Sequence, residues 1–150
     1  MAAVLRDGVP ADLREIGQRL LAAAEEAKAY GLAAVHIGEV APVVIVGEEQ
    51  EPRNYRLLFN PVVVAVAGST AKGEEGSVSL PGVRVQLDRP VWADIAYMDE
   101  TGRPQGFRFE NFAARVALHE IEQMQGIFFL DRLSRLKRDM ALRKAKKLTG

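Results

Sequence analysis

The chain has 150 residues, 48% of them hydrophobic, and its 20 Lys and Arg balance 20 Asp and Glu. This size fits one compact domain spanning 1–150 with a core large enough to fold alone, and the zero net charge gives no argument for DNA or an anionic membrane. Cysteine is absent, which excludes disulfides and thiolate chemistry; with no secretion signal in residues 1–10 and no apolar run near the ~20 residues of a membrane span, a cytoplasmic protein is expected.

Asp12 and Glu15 have capping-box spacing, and Leu13, Ile16, Leu20, Leu21, Ala24 and Ala27 recur at helical intervals, predicting a first helix up to Tyr30. The small residues of Gly31-Leu32-Ala33-Ala34-Val35-His36-Ile37-Gly38 permit close backbone approach. A short strand is expected at 43–46, then a polar loop over 47–54. Strands at 55–59 and 62–66 are expected to be separated at Asn60-Pro61, because proline cannot donate to a central ladder. Extended chain continues through 74–82. Val91, Ala93, Ile95 and Tyr97 alternate with Trp92, Asp94, Ala96 and Met98 before a turn at Asp99-Glu100-Thr101-Gly102, and the spacing of Phe107 and Phe109 completes a hairpin.

Asn111 is a candidate cap for a second helix over 112–125, which Gly126 is placed to end. Its apolar residues, Val116, Leu118, Ile121 and Met124, leave little polar surface and predict a buried central position. Residues 127–130 read as a short strand. Ser134 is a candidate cap for a third helix to about Leu148, with Leu133, Leu136, Met140 and Leu148 apolar and basic residues around the rest.

The second helix carries the most informative segment, Val116-Ala117-Leu118-His119-Glu120-Ile121-Glu122-Gln123. This is the metal-binding pattern H-E-x-x-H with glutamine in place of the second histidine. In the intact pattern two histidines one turn apart grip a metal while the glutamate handles protons. A neutral amide oxygen is a much poorer ligand than imidazole for a borderline metal.

Together with Gly31–Gly38 and Glu75-Gly76-Ser77-Val78-Ser79-Leu80-Pro81-Gly82, this segment resembles the three signature motifs of the peptide deformylases, in the family's order and roughly its spacing. Ala114-Arg115 and the stretch from Gly126 to Ser134 are also similar to the family, so that the likeness covers nearly the whole chain. It implies an α+β fold with antiparallel sheets around the motif-bearing helix and the third helix packed outside. The implied reaction is metal-dependent removal of the formyl group from the N-termini of new chains. By family position the three metal ligands fall at Ser77, His119 and Gln123, the proton-handling acid at Glu120, and the oxyanion donors at His36 and the Val78 backbone amide. The implied substrate groove involves Gly31, Leu32, Ala33, Val78 and Leu80. The family ordinarily carries a further stretch before its first helix, where about ten residues stand here, and this bears on one wall of the groove.

Serine and glutamine in place of a thiolate and an imidazole remove two strong donors, and without the ion water keeps a pKa near ~15.7 instead of ~7. The expectation is therefore a diverged homologue with no bound metal and little or no deformylation, acting as a peptide-binding or ribosome-associated protein. The alternative is a working hydrolase with divalent iron, zinc or nickel at a rebuilt site of His36, His119 and Glu120, Glu122 being a further candidate. A Ser77 nucleophile with His119 as base is outweighed by a structural serine, since Gly76-Ser77-Val78 has no strained nucleophile turn. The plainer expectation for His119 is a buried, hydrogen-bonded histidine, and for Glu120 an acid paired with Arg115 or His36. Arg135, Lys137, Arg138, Arg143, Lys144, Lys146 and Lys147 read as a solvated face or as a ribosome contact, while N-terminal peptides of nascent chains are the implied ligands.

Overall fold

The computed structural model describes residues 9, 11–77, 80–127 and 129–149. In chain order they form α1 (Ala11–Ala27), β1 (Gly31–Ala33), β2 (Val43–Gly47), β3 (Tyr55–Val66), β4 (Thr70–Ser77), β5 (Leu80–Pro90), β6 (Trp92–Met98), β7 (Pro104–Glu110), α2 (Asn111–Met124) and α3 (Arg135–Thr149), with single 3-10 turns at Ala34–Ile37 and Phe129–Arg132. Five strands make one antiparallel sheet in the order β1-β2-β3-β6-β7, and β4 pairs with β5 in a separate hairpin.

The apolar run of β2 does not alternate because both of its faces are covered. Val44 and Val46 join Leu58, Ile95 and Phe109 in a core with Val116, Ala117 and Ile121 of α2. Val43 and Ile45 point the other way, to Leu57, Phe59 and the Leu13, Leu20 and Ala24 stripe of α1. A third core of Val83, Leu87, Phe129, Leu130 and Ala141 seats α3 on β5. Every residue of 114–121 is buried, so α2 is the central helix. It approaches β1 closely because Gly31 has no side chain: a Cβ there would stand 2.6 Å from Val116 Cγ1 and 3.0 Å from Glu120 Cγ.

Four expectations are corrected. Residues 55–66 form one strand, because Asn60 adopts a left-handed φ of 52° and a register shift between Phe59 and Val62 places Pro61 at a bulge, where the ladder is already interrupted. Phe129–Arg132 is a helical turn, not a strand: consecutive Phe129 and Leu130 are both buried in the third core, which an alternating strand would not allow; Phe128 lies outside the described residues. Asn111 does not cap α2; it is the first helical residue, with φ 52°, and the cap position is Glu110, without a side-chain cap bond. Leu136 and Met140 are 68% and 57% exposed, and the small Ala141 is the contact of α3 with the core. Ser134 does cap α3, accepting from the Lys137 N–H at 3.3 Å, and Gly126 ends α2 with φ 86°.

Candidate functional site

α2 packs against β1, β2 and β5, and a cleft of about 360 Å³ opens between the start of β1, the β4–β5 hairpin and this helix. Its lining includes Tyr30, Gly31, His36, Glu75, Arg84, Phe112, Arg115, His119 and Glu120. Every buried charged side chain of the described residues except Arg89 therefore reaches this cleft.

Glu75 on β4 is the hub. Its carboxylate accepts from Arg89 Nε at 2.8 Å and Nη2 at 3.0 Å, from Arg115 Nη1 at 2.9 Å, and from His119 Nδ1 at 2.9 Å. Burial alone would raise its pKa, but the hydrogen bonds from His119 and Arg89 outweigh that and hold it at about 2. An ionised carboxylate can only accept, so His119 Nδ1 carries the hydrogen of that bond. Arg89 continues through Nη1 to Glu122 Oε1 at 2.8 Å, and Glu122 in turn pairs with Arg132. Arg115 also donates to the Ala71 carbonyl at 2.8 Å and the Leu87 carbonyl at 2.9 Å. Its guanidinium fits there because position 73 is glycine, where a Cβ would lie 2.6 Å from Arg115 Cζ.

Glu120 has a different environment. It does not pair with Arg115, whose partner is Glu75; the other expected partner, His36, has Nδ1 3.8 Å from Glu120 Oε1. That oxygen is buried without a hydrogen-bond partner, as are His36 Nε2 and Gln123 Oε1. Burial pushes the Glu120 carboxyl up to about 7, with His119 opposing the rise and Glu75 adding to it. Burial likewise lowers the pKa of His36, whose Nδ1 receives the Ala33 N–H at 3.0 Å.

The fold thus brings His36, His119, Glu120 and Gly31 to one cleft. Leu32 and Ala33 are buried in the second and first cores. Val78, and the side chains of Ser77 and Leu80, lie outside the described residues. Among the described residues no three His, Asp or Glu side chains are placed to hold one ion. Sequence reasoning missed the roles of Glu75 and Arg89. Arg89 had a readable signal: Val83, Val85, Leu87 and Arg89 share one face of β5, the other three packing in the third core, and a guanidinium on a buried strand face requires an acid.

Residues 4–139 match the family described as polypeptide deformylase. The peptide deformylase of Brucella suis biovar 1 (strain 1330) is 32% identical over 140 residues, covering 92% of this chain and 80% of the relative. A peptide deformylase-like protein of Agrobacterium fabrum (strain C58 / ATCC 33970) is 37% identical over 135 residues, covering 90% and 81%. A crystal structure of peptide deformylase from Ehrlichia chaffeensis superposes with a TM-score of 0.87 at 25% identity, covering 99% of this chain and 89% of that one. The α+β architecture, with antiparallel sheets, the central α2 and the C-terminal α3, is the deformylase fold. The chain belongs to the peptide deformylase family, whose hydrolases normally use divalent iron, zinc or nickel.

Glu120 gives a pH signature. The folded protein keeps its proton up to about pH 7, whereas the unfolded chain releases it near 4.5, so folding stability falls as pH rises between these values, by about 3 kcal/mol from this group alone. Glu120→Gln removes that fall. Urea unfolding from pH 5 to 8 is expected to show wild type losing stability relative to the variant, with the variant the more stable at pH 8; parallel profiles would contradict the assignment.

Proposed function

We propose that this deformylase-family chain holds the acylated N-terminus of a peptide in its cleft without a resident metal ion and with little or no deformylation. The observation that carries this reading is the donor set at the family's ligand positions. His119 supplies one imidazole, already anchored by Glu75; Gln123 offers a neutral oxygen, and position 77 a serine. Neutral oxygens replace the charged soft donor and the second nitrogen that a borderline divalent ion requires. The residues present do not fit the family's ion, and Glu120 has no metal-bound water whose proton it would move.

The cleft keeps what peptide binding needs. Its mouth carries Tyr30 and Phe112 in an edge-to-face pair with centroids 4.8 Å apart, and Arg53 lies 4.0 Å over the Tyr30 ring. Those rings offer apolar area for an N-terminal side chain. We further propose contact with the ribosome in the cytoplasm through α3, a reading favoured by its exposed cations. Arg135, Lys137, Arg143, Lys144, Lys146 and Lys147 are exposed, and Arg138 stands 3.6 Å from Asp131.

Metal analysis of anaerobically purified protein, joined to a formyl-methionyl peptide assay, tests the first proposal. The expected result is far less than one iron, nickel or zinc per chain and no turnover above a Glu120→Gln control, with Ser77→Cys/Gln123→His gaining stoichiometric zinc. One metal per wild-type chain with Glu120-dependent turnover would overturn it. For α3, co-sedimentation with ribosomes is expected at low salt and is lost as salt rises through counterion release; no co-sedimentation at low salt, or binding indifferent to salt, would remove the ribosome proposal.

A further inference from the structure

We infer that the second half of β3 is the seam of a symmetric dimer, where it pairs with the same strand of a second copy of this chain. β2 accompanies β3 only as far as Phe59, opposite Val43, and the last backbone bond on that side runs from the Asn60 N–H to the Pro42 carbonyl at 2.8 Å. Among the described residues, 62–66 pair with β6 alone. Their other edge offers backbone N–H and C=O groups to one more extended chain. Its side chains suit an interface. Val62, Val64 and Val66 are 59%, 65% and 44% exposed, and no charged residue stands between Arg56 and Lys72. Edge strands ordinarily carry a lysine or another charge that repels an incoming strand. Pro61, which has no N–H, sets where the seam begins.

A bulge between Val63 and Ala65 leaves Val63 and Val66 on one face, opposite Ile95 and Ala93 of the core against α2. Both line a groove of about 470 Å³, together with Leu118 and Ile121 of α2 and Pro90 of β5. An antiparallel two-fold pairing with its axis beside Val64 sets Val63 of one copy against Val66 of the other along this groove. Charge selects a second copy as the occupant. Near a two-fold axis each residue meets its own kind, so a charge in the run would oppose itself, and this run has none. The charged rim of the groove is balanced, Asp88 and Glu122 against Arg89 and Arg132. The whole chain has zero net charge, so two copies approach without repulsion. Each copy supplies both strand and groove, and association therefore stops at two. One short strand pair lies at the low end of interface size, which makes the dimer weak, with a micromolar dissociation constant. The groove and the cleft share no lining residue, so pairing leaves the cleft open whatever it binds.

Sedimentation velocity of the full chain, run from about 1 µM to about 200 µM, tests this. The wild type is expected to pass from monomer to dimer with no larger species. Val64→Lys and Val64→Glu, at a position exposed enough to take either side chain without loss of fold, each stay monomeric with the circular dichroism of wild type. Mixed in equal amounts, the two variants dimerise again, because opposite charges now meet beside the axis. Leu136→Lys, on the exposed apolar side of α3, dimerises as wild type does. A wild type still monomeric at about 200 µM, species growing past the dimer, or Val64 variants that dimerise alone would overturn the inference. So would a mixture that stays monomeric, or a dimer lost in Leu136→Lys.

Discussion

A carboxylate taken out of water loses several kilocalories per mole of hydration, and it remains ionised only where fixed donors replace that water. Glu75 is in that position, with four hydrogen bonds from three side chains on two elements other than its own. Arg89 comes from β5, and Arg115 and His119 from successive turns of α2. The cluster therefore ties β4, β5 and the central helix to one point. The carbonyls of Ala71 and Leu87 take further Arg115 protons, so the hairpin that bears the Ser77 segment is set against α2 by charge-assisted bonds where apolar contacts are few.

The position of His119 follows from this anion. The ring is held on one edge by Glu75 and on one face by Phe129. Glu120, its neighbour in sequence, gains no such support and sits buried with its charge opposed. Two adjacent residues of one motif thus meet opposite electrostatic surroundings. The first arises from the ion cluster of this chain, the second from burial.

Much of the architecture was legible because it depends on short-range pattern. The 3.6-residue apolar period of α1 and α2, the glycine after α2, the serine before α3 and the alternation of β6 are all local signals, and the ordered motifs pointed to the family. Pairings between distant residues were not legible. Glu75 stands 14, 40 and 44 positions from Arg89, Arg115 and His119, and nothing local to the Glu75-Gly76-Ser77 segment indicates them. Arg115 was read as a partner for Glu120 because helical proximity was the only guide available, but its side chain leaves the helix toward β4. Local rules also failed at Pro61, where a bulge accommodates proline inside a long strand, and at Leu136 and Met140, where helical apolar spacing faces solvent.

On the metal-free proposal, the Glu75 ion cluster holds the cleft in shape. The most direct test is the unfolding free energy of wild type and Glu75→Gln at pH 7, each with and without a strong chelator. The account predicts that the chelator changes neither protein, and that Glu75→Gln loses about 3–5 kcal/mol because the buried Arg115 loses its counter-charge and Arg89 keeps only Glu122. A wild type destabilised by the chelator, beside a Glu75→Gln variant of unchanged stability, would contradict it.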